Sequence, residues 1–234
     1  MGWISFINKM RIFANCREML NEVIRDAAEM GVLVRSDSVQ DLIVKGKSDY
    51  FVKELQNYSF CILNMNDKDK IIKNLLWLKK EFMERIAFSP VNPGEAWKLR
   101  KDVFEKFLHE GKFSYTYSER INDQIYFAYI ELLRNPNSRQ IIVQVFNAEK
   151  DMLNLGGLAR IPCSLNYQLM IREDKLDIIY NMRSCDISTH FCNDIWLADE
   201  FRNYIAGLIH AERGKFFMNI ASLHIFKKDC RDIF

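Results

Sequence analysis

A thiol at a strand edge beside cationic groups can act as a thiolate nucleophile. Arg160-Ile161-Pro162-Cys163 sets such a cysteine at the start of a predicted strand, straight after a loop containing Gly156-Gly157. On those four residues alone, a buried structural cysteine is the commoner reading. Asn181-Met182-Arg183-Ser184-Cys185-Asp186 is a dense polar cluster closing an otherwise apolar strand. Arginine, serine and aspartate together can hold a phosphate, donate to it, and accept from a heterocycle N–H. The same residues also describe a solvated strand end with an Arg–Asp pair. Asn135-Pro136-Asn137-Ser138-Arg139 reads either as a turn followed by an arginine or as a phosphate hook. Ser222-Leu223-His224-Ile225-Phe226 sets one histidine inside an apolar strand, where a lone histidine is usually a satisfied core residue. Taken singly, none of these signals is specific.

The elements that must position them follow from hydrophobic period. Apolar residues at 10, 13, 16, 20, 23, 27 and 30 follow helical spacing and predict one long amphipathic helix from about 5 to 30. Ile72, Leu75, Leu76, Phe82 and Ile86 predict a second helix, stopped by Ser89-Pro90 and Asn92-Pro93-Gly94. A third is predicted from Glu95, with Trp97, Val103, Phe104, Phe107 and Leu108 at core spacing. A fourth, carrying Ile121 to Leu133, ends at Asn135-Pro136. The period then changes. Gln140 to Phe146 reads as a buried strand, and Cys163 to Ile171 alternates apolar with polar. Leu176 to Met182 is expected to pair with it across Glu173-Asp174-Lys175. A helix near 195–210 and a strand from Lys215 to Phe226 complete the chain. The fold class is α+β, helices first and the sheet concentrated in the second half.

Composition removes several function classes. The chain has 234 residues with 33 Lys+Arg against 31 Asp+Glu, a net charge of +2 that is no footprint for nucleic acid or an anionic membrane. With 49% apolar and 13% aromatic residues it can bury enough surface to offset chain entropy, so disorder is excluded. No apolar run reaches the roughly 18 residues a membrane span needs. The N-terminal segment is too charged for a signal peptide. The six cysteines show no CxxC or CxxH pairing, so no metal site and a reduced, cytoplasmic setting are expected.

Order and spacing supply what the single signals lack. From about Val34 to Phe226 the chain resembles the thymidylate synthase superfamily. The correspondences run through Arg35-Ser36-Asp37, Ile71-Ile72-Lys73-Asn74-Leu75-Leu76-Trp77, Trp97, Asn135 to Arg139, Pro162-Cys163, Met182 to Asp186, and Ser222 to Phe226. The resemblance implies a single domain over 1–234, a mixed sheet packed by helices, and a homodimer formed through the sheet. It also implies roles. Cys163 would add to C6 of a pyrimidine nucleoside monophosphate, making C5 a carbanion equivalent that attacks the one-carbon unit of 5,10-methylenetetrahydrofolate. Arg35, Arg183, Ser184 and, from the partner subunit, Arg139 would hold the phosphate. His224 would bind the sugar. Asp186 would serve catalysis through the folate or the water network near the base, and Trp97 would meet the folate. An arginine near Cys163 is expected to lower its thiol pKa.

Family thymidylate synthases carry an asparagine eleven residues after the arginine of the Arg-Ser-Cys-Asp motif, matched to uracil. Here that position is Asp194, whose carboxylate would accept from the N4 amino group of cytosine and repel the uracil O4. The substitution resembles deoxycytidylate hydroxymethylase. It implies capture of the methylene intermediate by water, to give a 5-hydroxymethylcytidylate from CMP or dCMP.

Four positions depart from the family pattern. Asn74 stands where a glutamate organises catalytic water, and asparagine cannot exchange a proton. Phe226 replaces a sugar-binding tyrosine, leaving CMP and dCMP both open. His190 replaces a glycine beside the site, as a substitute acid or base or as an obstruction. The sequence ends at Phe234 without the C-terminal tail that closes over folate in the family, so closure is expected to differ. Gln140 also stands where a second arginine is common. Two alternatives follow: a nucleotide-binding homologue with impaired catalysis, and a thymidylate synthase-like methylase acting on dUMP.

Overall fold

A computed structural model describes residues 10–36, 51–155 and 159–230. Asp37 and the Gly156-Gly157 loop lie outside the described residues. The framework is a seven-stranded mixed sheet. Its strands are β1 (Arg11–Asn15), β2 (Val32–Arg35), β3 (Phe51–Asn64), β4 (Ile142–Gln144), β5 (Ser164–Arg172), β6 (Lys175–Asp186) and β7 (Glu212–Phe226). The order is β1-β3-β7-β6-β5-β4, with β2 also paired to β3. The pairs β1–β3 and β6–β7 are parallel, and the others are antiparallel. Four longer helices accompany the sheet: α1 (Cys16–Met30), α2 (Leu75–Arg85), α3 (Tyr117–Arg134) and α4 (Cys192–Leu208).

One sheet face carries the core. Tyr58, Phe60 and Ile62 of β3, Phe216, Met218 and Ile220 of β7, and Ile178, Tyr180 and Met182 of β6 recur every second residue and are all buried. Helices cover this face. The Tyr58 hydroxyl donates to Asp26 of α1 at 2.6 Å, and Phe201 of α4 lies 5.0 Å from the Tyr167 ring. Parallel β6 and β7 need a crossover, and α4 supplies it.

The hairpin at Glu173-Asp174 forms as expected. Both residues take positive φ, 52° and 60°, matching the twist of the two strands. Four expectations need correction. The helix from about 5 to 30 begins only at Cys16, because residues 11–15 pair with β3 and Phe13 is buried there. Asn15 caps the helix, accepting from Glu18 N at 2.9 Å. The helix from Glu95 is a chain of short turns at Ala96–Arg100, Lys101–Phe104 and Glu105–Phe107. These turns bring Trp97 and Phe104 against Phe113, each with ring centres 6.3 Å away. The sheet is also not confined to the second half. Strand β3 lies centrally, although its mixed polar sequence shows no clean alternation. The Gln140–Phe146 run supplies only the short edge strand β4.

Candidate active site

The C-terminal ends of β2, β6 and β7 and the start of β3 wall a cavity of about 500 Å³. Register aligns its polar side chains. Ser184 stands beside Ser222, Asp186 beside His224, and Glu54 beside His224 on the other side. Arg35 and Ser36 line the same cavity where β2 ends.

Cys163 immediately precedes β5 and also lines the cavity. Its carbonyl accepts from Arg183 N at 2.9 Å. The Arg183 side chain braces the preceding residues, with Nε donating to Pro162 O at 2.9 Å and Nη2 to Ile161 O at 3.2 Å. Burial pushes the Cys163 thiol pKa up, while Arg183 and Arg160 pull it down without overcoming that push. The expected lowering is therefore corrected in its net sign. Behind Cys163, Ser164 Oγ bonds to the hydroxyls of Tyr117, at 2.6 Å, and Tyr180. The Arg85 guanidinium lies 3.5 Å from the Tyr117 ring centre and pairs with Glu81 at 2.9 Å.

Asp194 sits in the first turn of α4, which continues from the preceding π-helical turn without a break. Its Oδ2 accepts from the Cys185 thiol at 3.6 Å. Burial pushes the Asp194 pKa up to about 6, against the opposing pull of Arg85, the Cys185 thiol, Arg160 and Arg100. A π-helical turn, Ile187–Phe191, joins β6 to α4, a feature frequent at functional sites. Asp186 caps that turn, accepting from Ser188 N at 3.0 Å. The turn carries His190.

A smaller aromatic cavity of about 60 Å³ adjoins the first and shares Phe104, Tyr117, Arg160, His190 and Asp194 with it. Trp77, Trp97, Phe113 and Tyr115 add four more aromatic rings to its wall. The Arg160 guanidinium lies 5.2 Å from the Phe104 ring and 5.3 Å from that of Tyr115. The indole N–H groups of Trp77 and Trp97 are buried without a hydrogen-bond partner. At about 60 Å³ this cavity has room for a few water molecules, whereas the adjoining cavity of about 500 Å³ is the one large enough for a heterocyclic ligand.

Of the residues singled out from sequence, Cys163, Arg35, Arg183, Ser184, Asp186, Asp194 and His224 line the larger cavity. Trp97 lines the smaller one. Two lie elsewhere. Asn74 caps α2, its Oδ1 accepting from Trp77 N at 3.0 Å and its Nδ2 donating to Leu99 O at 3.3 Å. Arg139 lies in a separate surface depression with the Asn135–Gln140 loop. Sequence reasoning missed Glu54. An acid at an apolar-face position of a strand that continues into Tyr58, Phe60 and Ile62 was the signal available.

The thymidylate synthase family profile matches residues 50–233. The chain belongs to the thymidylate synthase family. A thymidylate synthase of Bacillus licheniformis is 25% identical over 162 residues, which cover 67% of this chain and 57% of that protein. The chain thus spans little more than half the length of that relative. A deoxycytidylate 5-hydroxymethyltransferase of Enterobacteria phage T4 is 27% identical over 184 residues, covering 70% of this chain and 69% of that protein. The fold superposes on a thermostable thymidylate synthase A from Bacillus subtilis with a TM-score of 0.70 at 16% identity, over 90% of this chain and 79% of that one. No helix among the described residues of this thymidylate synthase family member is long and apolar enough to cross a membrane.

Proposed function

We propose that the chain transfers a one-carbon unit from 5,10-methylenetetrahydrofolate to C5 of a cytidylate through a covalent Cys163 adduct, with water completing a 5-hydroxymethyl group. The observation that carries this reading is Asp194, a carboxylate in the same cavity as the Cys163 thiol. An ionised carboxylate only accepts hydrogen bonds, so it pairs with the N4 amino group of cytosine and opposes the O4 of uracil. Likeness to phage deoxycytidylate 5-hydroxymethyltransferase over 69% of its length supports the same choice.

The folate would supply the one-carbon unit, and the larger cavity, about 500 Å³, has the room to hold it, with Trp97 in the wall of the adjoining aromatic cavity. Asp186 lines the larger cavity beside His224. The chain's own residues do the rest. Cys163 forms the bond to C6, Arg35, Arg183 and Ser184 neutralise the phosphate, and Asp194 fixes the base. Asn74, engaged at both ends of its amide as a helix cap, takes no part in proton transfer here. Since Arg139 lies apart from the cavity, its use as a phosphate ligand requires a second copy of the chain, in a homodimer with shared sites.

Addition of Cys163 to C6 loosens the hydrogen at C5, so the test is loss of deuterium from C5-labelled nucleotides. Washout from cytidylate in the wild-type chain, absent in Cys163→Ser, is expected. Washout confined to uridylate would favour the methylase reading, and none from either base would favour a binding protein.

A further inference from the structure

Three strands meet at the β3 side of the large cavity with their residues in register: Glu54 beside His224, and His224 beside Asp186. The next row along the strands holds Gln56, Ser222 and Ser184. The Ser222 hydroxyl donates to Oε1 of Glu54 and lies 3.4 Å from Nδ1 of His224. Gln56 Nε2 donates to Oε2 of Glu54 at 3.0 Å. Glu54, Ser222 and His224 all line the cavity. Two residues beyond His224, Phe226 sets its ring edge-on to the imidazole, 5.3 Å between centres, and contributes no polar atom to this wall.

A carboxylate beside a phosphate-binding cavity works against the phosphate, so it is useful only where the ligand brings hydroxyl donors. An ionised carboxylate has about four acceptor positions, and Ser222 and Gln56 occupy two of those on Glu54. The two remaining suit adjacent hydroxyls pointing the same way. A ribose presents that pair at C2′ and C3′, while a deoxyribose presents one. We propose that Glu54 reads the sugar, and that its carboxylate accepts from the 2′- and 3′-hydroxyls of a ribonucleoside monophosphate beside His224 and Ser222. CMP is then the substrate in preference to dCMP. The inference rests on the proposed nucleotide site and deepens it.

The test is calorimetric binding of CMP, dCMP, UMP and dUMP to the full chain and to Glu54→Ala and Glu54→Gln. The wild-type chain is expected to bind the ribonucleotide about tenfold tighter than its deoxy counterpart, the size of one charged-group hydrogen bond. Glu54→Ala should bring the two affinities to parity, weakening the ribonucleotide more than the deoxynucleotide, which loses only the 3′-hydroxyl contact. Glu54→Gln, which keeps the size and one acceptor, should fall between. A wild-type preference for the deoxynucleotide overturns the proposal. So does an equal loss for both sugars in the variants, because Glu54 would then only brace Ser222. The base is read separately. Tighter uridylate binding with the ribose preference intact overturns the cytidylate reading and supports the role of Glu54, whereas tighter cytidylate binding with deoxyribose preferred does the reverse.

Discussion

The thiol of Cys185 donates to Oδ2 of Asp194 at 3.6 Å, tying the end of β6 to the first turn of α4. The bond occupies one carboxylate oxygen and leaves the other for a base. Cys185 thus acts as a positioning residue. Cys185→Ala should reduce the preference for cytidylate over uridylate by about threefold to tenfold, while Cys185→Ser, which keeps a donor, should retain most of it. Paired binding constants for the two bases check this, and an unchanged ratio in the alanine variant contradicts it.

Asp194 must be ionised to accept from N4, and burial raises its pKa to about 6. Preference for cytidylate should therefore climb as pH rises through about 6. Below that, the protonated carboxyl can donate to the uracil O4, and uridylate should gain. Asp194→Asn should shift preference toward uridylate and flatten the profile. The linked effect on stability has the opposite sense. The folded chain holds this proton more tightly than the unfolded chain, so the stabilisation is complete below the unfolded pKa of about 3.9 and is lost as pH rises through about 6. Wild-type melting temperature should lose this contribution over that window, and Asp194→Asn should not.

Asn74 satisfies the Trp77 N–H at the start of α2. Asn74→Ala should lower unfolding free energy by about 1 kcal/mol in denaturant titrations, and Asn74→Ser should recover most of the loss. If Asn74 also organised catalytic water, Asn74→Ser would lose turnover while keeping most of the stability.

Arg139 and Cys163 line different depressions of one chain. In a dimer with shared sites, Arg139→Ala and Cys163→Ser chains should each be inactive alone. After mixing and reassortment they should recover about a quarter of the wild-type sites, because half of the dimers are mixed and each holds one intact site. No recovery on mixing would place Arg139 outside the phosphate site.

Sequence made the second half of the fold legible, because β5 alternates apolar with polar residues and a charged two-residue turn leads into the apolar-rich β6. It failed at β3, where Lys53, Glu54, Gln56 and Asn57 interrupt the apolar pattern of a central strand. Those interruptions include Glu54, the polar residue that reaches the cavity. It failed also at residues 11–15, where Met10 and Phe13 happen to fit a helical period and only pairing with β3 decides for a strand. Motif order found most of the cavity lining, because those residues sit at strand ends fixed by register. Asn74 shows the limit of that approach, since a matched position does not reveal that both ends of its amide are engaged at a helix cap.

The central claim is tested most directly by the mass of the product. The full chain would be incubated with 5,10-methylenetetrahydrofolate and, separately, CMP, dCMP, UMP and dUMP. The account predicts that CMP gains one CH2O unit, with the gain absent from Cys163→Ser. A gain of CH2 on a uridylate, or no product from a chain that binds all four nucleotides, would contradict it.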